Sequence, residues 1–132
     1  MGAIGAGSEI GAVSIGSSDN GGITLNGAIT TTGAVSLDGP VTLATGAITI
    51  DSSAGNGAIS FPHTIDGAQN LTISSGSGAV DVNGIIGSTT AIGTLTVNAS
   101  GTGTIAIEQI GDGDPANGCL LYTSPSPRDL DL

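Results

Sequence analysis

Apolar residues in this chain come in pairs two positions apart, and the residue between them is usually Thr or Ser. The pairs are Val13/Ile15, Ile23/Leu25, Val35/Leu37, Val41/Leu43, Ile48/Ile50, Ile59/Phe61, Leu71/Ile73, Val80/Val82, Leu95/Val97 and Ile105/Ile107. Small residues precede most of them, as in Gly11-Ala12, Gly33-Ala34, Gly46-Ala47, Gly57-Ala58, Gly78-Ala79 and Gly103-Thr104. Alternation at period two predicts short strands with one buried face. No stretch shows the 3.6 period of a helix, and the abundant Gly and β-branched residues disfavour one. The expected fold class is all-β, with one short unit written many times over residues 11–110.

The turns between units carry Asn26-Gly27, Asp38-Gly39, Asp66-Gly67 and Asn83-Gly84, dipeptides that tolerate positive φ and reverse or bend the chain. Two architectures are compatible with that. Asn-Gly between alternating apolar residues is a hairpin signal, so Ile23 to Ile29 fits an antiparallel hairpin inside a β-sandwich or meander. Most units, however, offer just two inward side chains, and Phe61 is the one aromatic residue ahead of Tyr122. A sandwich core must fill a slab about 10 Å thick, which such narrow faces do poorly. Stacked Ile, Val and Leu suffice for a narrow parallel β-helix, or β-solenoid. With three strands per coil of roughly twenty residues, residues 11–110 predict about five coils stacked at about 4.8 Å, a rod roughly 25 Å long. Residues 1–10 show no clear element, and 111–118 read as an acidic turn or linker. Neither end shows the polar cap that a solenoid requires, and residues 1–5 lack the basic and apolar regions of a secretory signal. The expectation is therefore an uncapped fragment of something longer.

Composition changes sharply after Gly118. Cys119-Leu120-Leu121-Tyr122-Thr123-Ser124-Pro125-Ser126-Pro127-Arg128-Asp129 holds the only Cys, Tyr and Arg. These eleven consecutive residues resemble the translation of a transposon-based sequencing adapter, so 119–132 are set aside as non-native. Of 11 acidic residues, Asp129 and Asp131 fall in that tail; residues 1–118 keep nine acids, no Lys and no Arg, a formal charge of −9. A surface without cations cannot neutralise phosphates, which argues against nucleic acid and against a polybasic membrane contact. No run approaches the length of a membrane span. Without Cys there is neither a disulfide framework nor a Cys-metal site.

The stretches Ile65-Asp66-Gly67-Ala68-Gln69-Asn70-Leu71-Thr72-Ile73, Gly78-Ala79-Val80-Asp81-Val82-Asn83-Gly84 and Thr94-Leu95-Thr96-Val97-Asn98-Ala99 resemble the repeats of large bacterial surface proteins, the filamentous-haemagglutinin-like adhesins and related β-strand-repeat proteins. The resemblance covers about residues 20–110 and rests on repeat rhythm. It implies a right-handed parallel β-helix, export to the cell surface, and roles in adhesion, aggregation or biofilm. Implied partners are a host-cell, matrix or carbohydrate surface, or other solenoid ends through self-association. No secretion domain, anchor or binding head is visible in this stretch.

Candidate chemistry is sparse. Asp112-Gly113-Asp114-Pro115-Ala116-Asn117-Gly118 is similar to a calcium loop, but an EF-hand needs Gly at position 6 and Glu at 12, and Asn and Gly arrive one place late. It reads as an acidic turn. His63 is the lone histidine; its nearest acid, Asp66, stands three residues on, which along a strand is the opposite face. A catalytic histidine needs an orienting carboxylate, so His63 reads as an exposed turn residue. Glycosidases need two facing carboxylates, and these acids are scattered singly. Thr30-Thr31-Thr32 raises ice binding, but the pattern is apolar-Thr-apolar rather than Thr-x-Thr. The expected function is a structural or adhesive segment of an extracellular protein, not an enzyme, with no catalytic, cofactor or metal residues assigned. The alternatives are a carbohydrate-binding or carbohydrate-acting β-helix and an ice- or mineral-binding solenoid.

Overall fold

The computed structural model describes residues 2–16 and 21–111, and those residues contain twelve strands and no helix. In chain order they are β1 (Val13–Gly16), β2 (Ile23–Leu25), β3 (Ile29–Thr30), β4 (Val35–Asp38), β5 (Val41–Leu43), β6 (Ile48–Asp51), β7 (Ile59–Phe61), β8 (Ile65–Asp66), β9 (Leu71–Gly76), β10 (Val80–Ile86), β11 (Leu95–Ala99) and β12 (Ile105–Ile110). Every strand pairing is parallel, and strands adjacent in sequence do not pair with one another. The fold is a parallel β-solenoid. The hairpin compatible with Ile23 to Ile29 is absent: β2 pairs with β5 and β3 with β6, so Asn26-Gly27 turns a corner between two sheets. No antiparallel sandwich or meander forms.

The coils present three walls. Wall one stacks β1, β4, β7, the first part of β10, and β12. Wall two stacks β2, β5, β8 and the end of β10. Wall three stacks β3, β6, β9 and β11. Walls one and two join as one sheet because β10 runs through the corner between them. Its Val80–Val82 pairs with β7 and its Ile86 with β8, and the register slips at Asn83-Gly84. A residue inserted at a bulge bends the strand and re-aims the side chains beyond it. Elsewhere the same corner is made by a turn, as at Asp38-Gly39 between β4 and β5.

Three apolar columns run the length of the stack, one behind each wall. They are Val13–Val35–Ile59–Val80–Ile105, Ile23–Val41–Ile65–Ile86–Ile110 and Ile4–Ile29–Ile50–Ile73–Val97, each contact an in-register pair. Column steps are mostly 21–25 residues, a little longer than the roughly twenty expected, with one of 18 from Ile23 to Val41. The region therefore closes about four coils rather than five. The stack also begins ahead of β1, since Ile4 and Ile10 bridge to Ile29 and Thr31. Phe61 is wholly buried in this core. Burying each such side chain contributes about 1.5–3 kcal/mol.

A fourth column, of glycines, lies at one corner. Gly33, Gly57, Gly78 and Gly103 precede the strands of wall one, and a Cβ on any of them would press against backbone oxygens of the preceding coil, those of Gly11, Gly33, Gly57 and Gly78 in turn. Coils approach too closely at Gly33, Gly57 and Gly78 for any side chain, and at Gly103 a Cβ would be tightly confined. Beside this column lies a buried hydroxyl: Thr31 Oγ1 donates to the Gly33 carbonyl (2.7 Å), Ser52 Oγ to Gly57 (2.6 Å) and Ser75 Oγ to Gly78 (2.8 Å). The Gly57 and Gly78 N–H groups donate back to the Ser52 and Ser75 carbonyls. The corner thus satisfies its own polar groups although the three hydroxyl residues are fully buried.

Candidate functional site

Parallel stacking brings together residues that are about 21–25 apart in sequence, and this decides which polar groups meet. His63 lies between β7 and β8, and its Nε2 stands 3.1 Å from Asp38 Oδ1 at the end of β4, one coil earlier. Asp66, its nearest acid in sequence, is engaged elsewhere. Asp66 Oδ1 accepts the N–H groups of Thr89 (2.7 Å) and Thr90 (3.0 Å), and Oδ2 accepts the Ser88 hydroxyl (3.0 Å). Its carboxylate fastens the loop after β10 to the coil below. The His63–Asp38 pair was not legible from spacing, because its members are 25 residues apart. Both side chains are exposed, at 41% and 66%, so the pair stands at the solvent surface.

Of the other acids among the described residues, Asp51, Asp81 and Glu108 lie on separate strands. Asp81 faces outward on wall one, in register with Ser60 and Ala106. Asp51 lies on wall three and accepts both the N–H (2.9 Å) and the hydroxyl (2.6 Å) of Ser53. Glu108 lies on β12. Among the described residues no three His, Cys, Asp or Glu side chains gather into a group able to hold a metal. The Asp112–Gly118 turn lies outside the described residues.

Wall three carries the most regular outward surface. Thr49, Thr72 and Thr96 stack in register, and beside them run Thr30, Asp51, Ser74 and Asn98. Asn98 Nδ2 donates to Ser74 Oγ at 3.4 Å along that second row. A shallow depression of about 220 Å³ ends the wall, lined by Ser53, Ser74, Gly76, Asn98, Ala99 and Ser100. A second hollow, about 410 Å³, lies over Gly5, Ala6, Gly7, Ser8, Glu9 and Thr30. The Thr30-Thr31-Thr32 triplet does not form a face. Thr31 is fully buried at the corner, while exposed Thr32 donates to the Ile10 carbonyl (3.3 Å). Phe61 is the one Phe, Tyr or Trp among the described residues and is buried, so none of those residues presents such a ring on a wall.

No family model, no curated protein and no solved structure matches this chain. Among the described residues no helix is long and apolar enough to cross a membrane. The geometry itself contains a repeated stacking surface, one solvent-exposed His–Asp pair, and two carboxylates, Asp51 and Asp66, that hold loop groups.

Proposed function

We propose that this chain is a structural repeat segment of a large exported bacterial surface protein, acting as a stalk or adhesive rod in adhesion, aggregation or biofilm. The observation that supports this most is the repetition of one coil in register, with the same corner glycine and mostly the same corner hydroxyl in each turn. Such a module gains stability from its neighbours and lengthens by adding coils. Its outward side chains are small and polar, and its carboxylates are spread over separate walls rather than set facing one another. The reading assigns the chain no chemistry of its own, no cofactor and an extracellular place. Its partners are a host-cell, matrix or carbohydrate surface, met by the lateral walls; nucleic acid is disfavoured by the absence of Lys and Arg from residues 1–118.

Sequencing the DNA that flanks this reading frame tests the proposal. It predicts many more coils of the same pattern and export machinery in the same gene. A short gene with no coils beyond these would overturn it. One observation favours a second reading, an ice- or mineral-binding solenoid: the in-register Thr49–Thr72–Thr96 row. An ice-recrystallisation assay separates the two readings. Inhibition by the chain that disappears in Thr72→Leu would move the conclusion to the second.

A further inference from the structure

Among the described residues Asn or Asp precedes Gly five times, at Asn26-Gly27, Asp38-Gly39, Asn56-Gly57, Asp66-Gly67 and Asn83-Gly84. Each pair invites the same reaction. The glycine nitrogen, unshielded by a Cβ, attacks the side-chain carbonyl carbon of the residue before it and closes a five-membered ring. Four of the five side chains are held by a neighbouring coil. Asn26 Oδ1 accepts the Thr45 hydroxyl (3.2 Å), and Asp38 Oδ1 faces His63 Nε2 (3.1 Å). Asn56 Oδ1 accepts the Ser77 N–H (2.9 Å), and Asp66 accepts from Ser88, Thr89 and Thr90. At Asn56 the attacking atom is engaged too, since the Gly57 N–H donates to the Ser52 carbonyl (3.1 Å).

Asn83 differs on both counts. Its side chain is exposed and makes no hydrogen bond among the described residues. Its backbone falls in the slip of β10: pairing with β12 runs through Val82 and resumes at Ile85, passing over Asn83 and Gly84. On the other edge Val82 pairs with Phe61 and Ile86 with Ile65, again passing over them. Gly84 lies against the His63 carbonyl so closely that a Cβ would overlap it. The residue after Asn83 must therefore stay glycine, which leaves the attacking nitrogen least shielded. Asn83 stands inside the stack, with the β7–β8 corner on one side and β12 on the other.

We infer that Asn83 is a site of spontaneous deamidation, the one of these three Asn-Gly pairs that the fold leaves reactive. Water and hydroxide are the only co-reactants. Hydroxide takes the Gly84 N–H proton, the nitrogen bonds to Asn83 Cγ, and the Cγ–Nδ2 bond breaks as Nδ2 leaves, protonated, as ammonia. The succinimide then adds water at one of its two carbonyls, and the ring nitrogen takes back a proton as its bond to that carbon opens. Opening at Cγ gives Asp; opening at the main-chain carbonyl gives isoaspartate, whose backbone runs through the former side chain. Either product puts a carboxylate on the exposed corner between walls one and two, where Glu108 follows the same strand pair on β12. Isoaspartate also adds one backbone atom to β10 at the corner that this coil makes without leaving the ladder. The change is uncatalysed and goes beyond the structural reading above.

Incubating the folded chain at mildly alkaline pH, beside the same incubation in guanidinium chloride, tests it. Peptic fragments sampled over time are read by mass spectrometry, with electron-transfer fragmentation to separate isoaspartate from Asp. In guanidinium the three pairs react at similar rates, since each is the same dipeptide in an open chain. Folding is expected to slow Asn26 and Asn56 by about tenfold, because a hydrogen bond must break before the ring closes, and Asn83 by less than about threefold. Asn83→Gln, which must close a six-membered ring, loses the signal at its own peptide and leaves the other two unchanged. Thr45→Val frees the Asn26 amide at an exposed position, and the Asn26 rate rises toward its unfolded value. Folding that slows Asn83 as much as Asn26 and Asn56 overturns the inference, as does a chain in which all three react at their unfolded rates.

Discussion

At the scale of single residues, the controlling contacts lie between coils. Gly57 is fixed because a Cβ there would overlap the carbonyl of Gly33 and the N–H of Ala34, and the backbone cannot yield on both sides. Gly57→Ala is expected to lower stability by about 1–3 kcal/mol through overpacking, whereas Gly11→Ala, in the same column with open space beside it, changes it by under about 0.5 kcal/mol. Urea titration of the two variants checks the contrast. Equal effects would show that the glycines serve turn formation rather than coil contact. Ser75→Ala leaves the Gly78 carbonyl without its hydroxyl donor in a buried corner, and a loss of about 1–3 kcal/mol is expected in the same titration. His63→Ala removes an exposed side-chain contact with Asp38 and is expected to change stability by less than about 1 kcal/mol. None of these contacts was legible in the sequence. The unit Gly-Ala-apolar-x-apolar showed that a small residue recurs, but its reason lies a coil away, at a spacing that varies from turn to turn. His63 was weighed against Asp66 for the same reason, while its actual partner, Asp38, stands 25 residues before it.

Among the elements, each apolar pair read from the sequence lies on a strand, from Val13/Ile15 on β1 to Ile105/Ile107 on β12. The two strands that escaped, β3 and β8, contain a single inward apolar residue each, Ile29 and Ile65. Period two cannot show itself in a strand of two residues; only the columns above and below reveal them. Asn83-Gly84 was read as a turn between units, yet it is a bulge within β10, because the chain bends from wall one to wall two without leaving the ladder. Asp66 ties β8 to the loop after β10. Asp66→Ala is therefore expected to speed amide hydrogen exchange at Thr89 and Thr90 while leaving Val80–Val82 protected. Unchanged exchange in that loop would remove the fastening role from Asp66.

For the whole molecule, the fold class was legible because narrow two-residue faces and a near-absence of aromatic rings suit a solenoid and not a slab. Coil length was underestimated because loops such as 52–57 and 87–94 lengthen the turn while adding one buried side chain each to the interior, Ser52 and Ile92, outside any period-two pair. The surface charge follows from composition alone. With nine acids and no Lys or Arg in residues 1–118, like charges repel along the stack and oppose the compact state. Raising ionic strength from about 0.01 M to about 0.15 M shortens the screening length from about 30 Å to about 8 Å, so the melting temperature is expected to rise with salt. A fall would mean that attractive ion pairs outweigh the repulsion. The central claim is that each strand stacks, parallel and in register, on the strand one coil away. Nuclear Overhauser contacts in the isotope-labelled chain test it most directly. In-register contacts are predicted between Val35 and Ile59, between Ile48 and Leu71, and between Leu71 and Leu95, whereas Hα–Hα contacts across Asn26-Gly27 or between other neighbouring strands would contradict the solenoid.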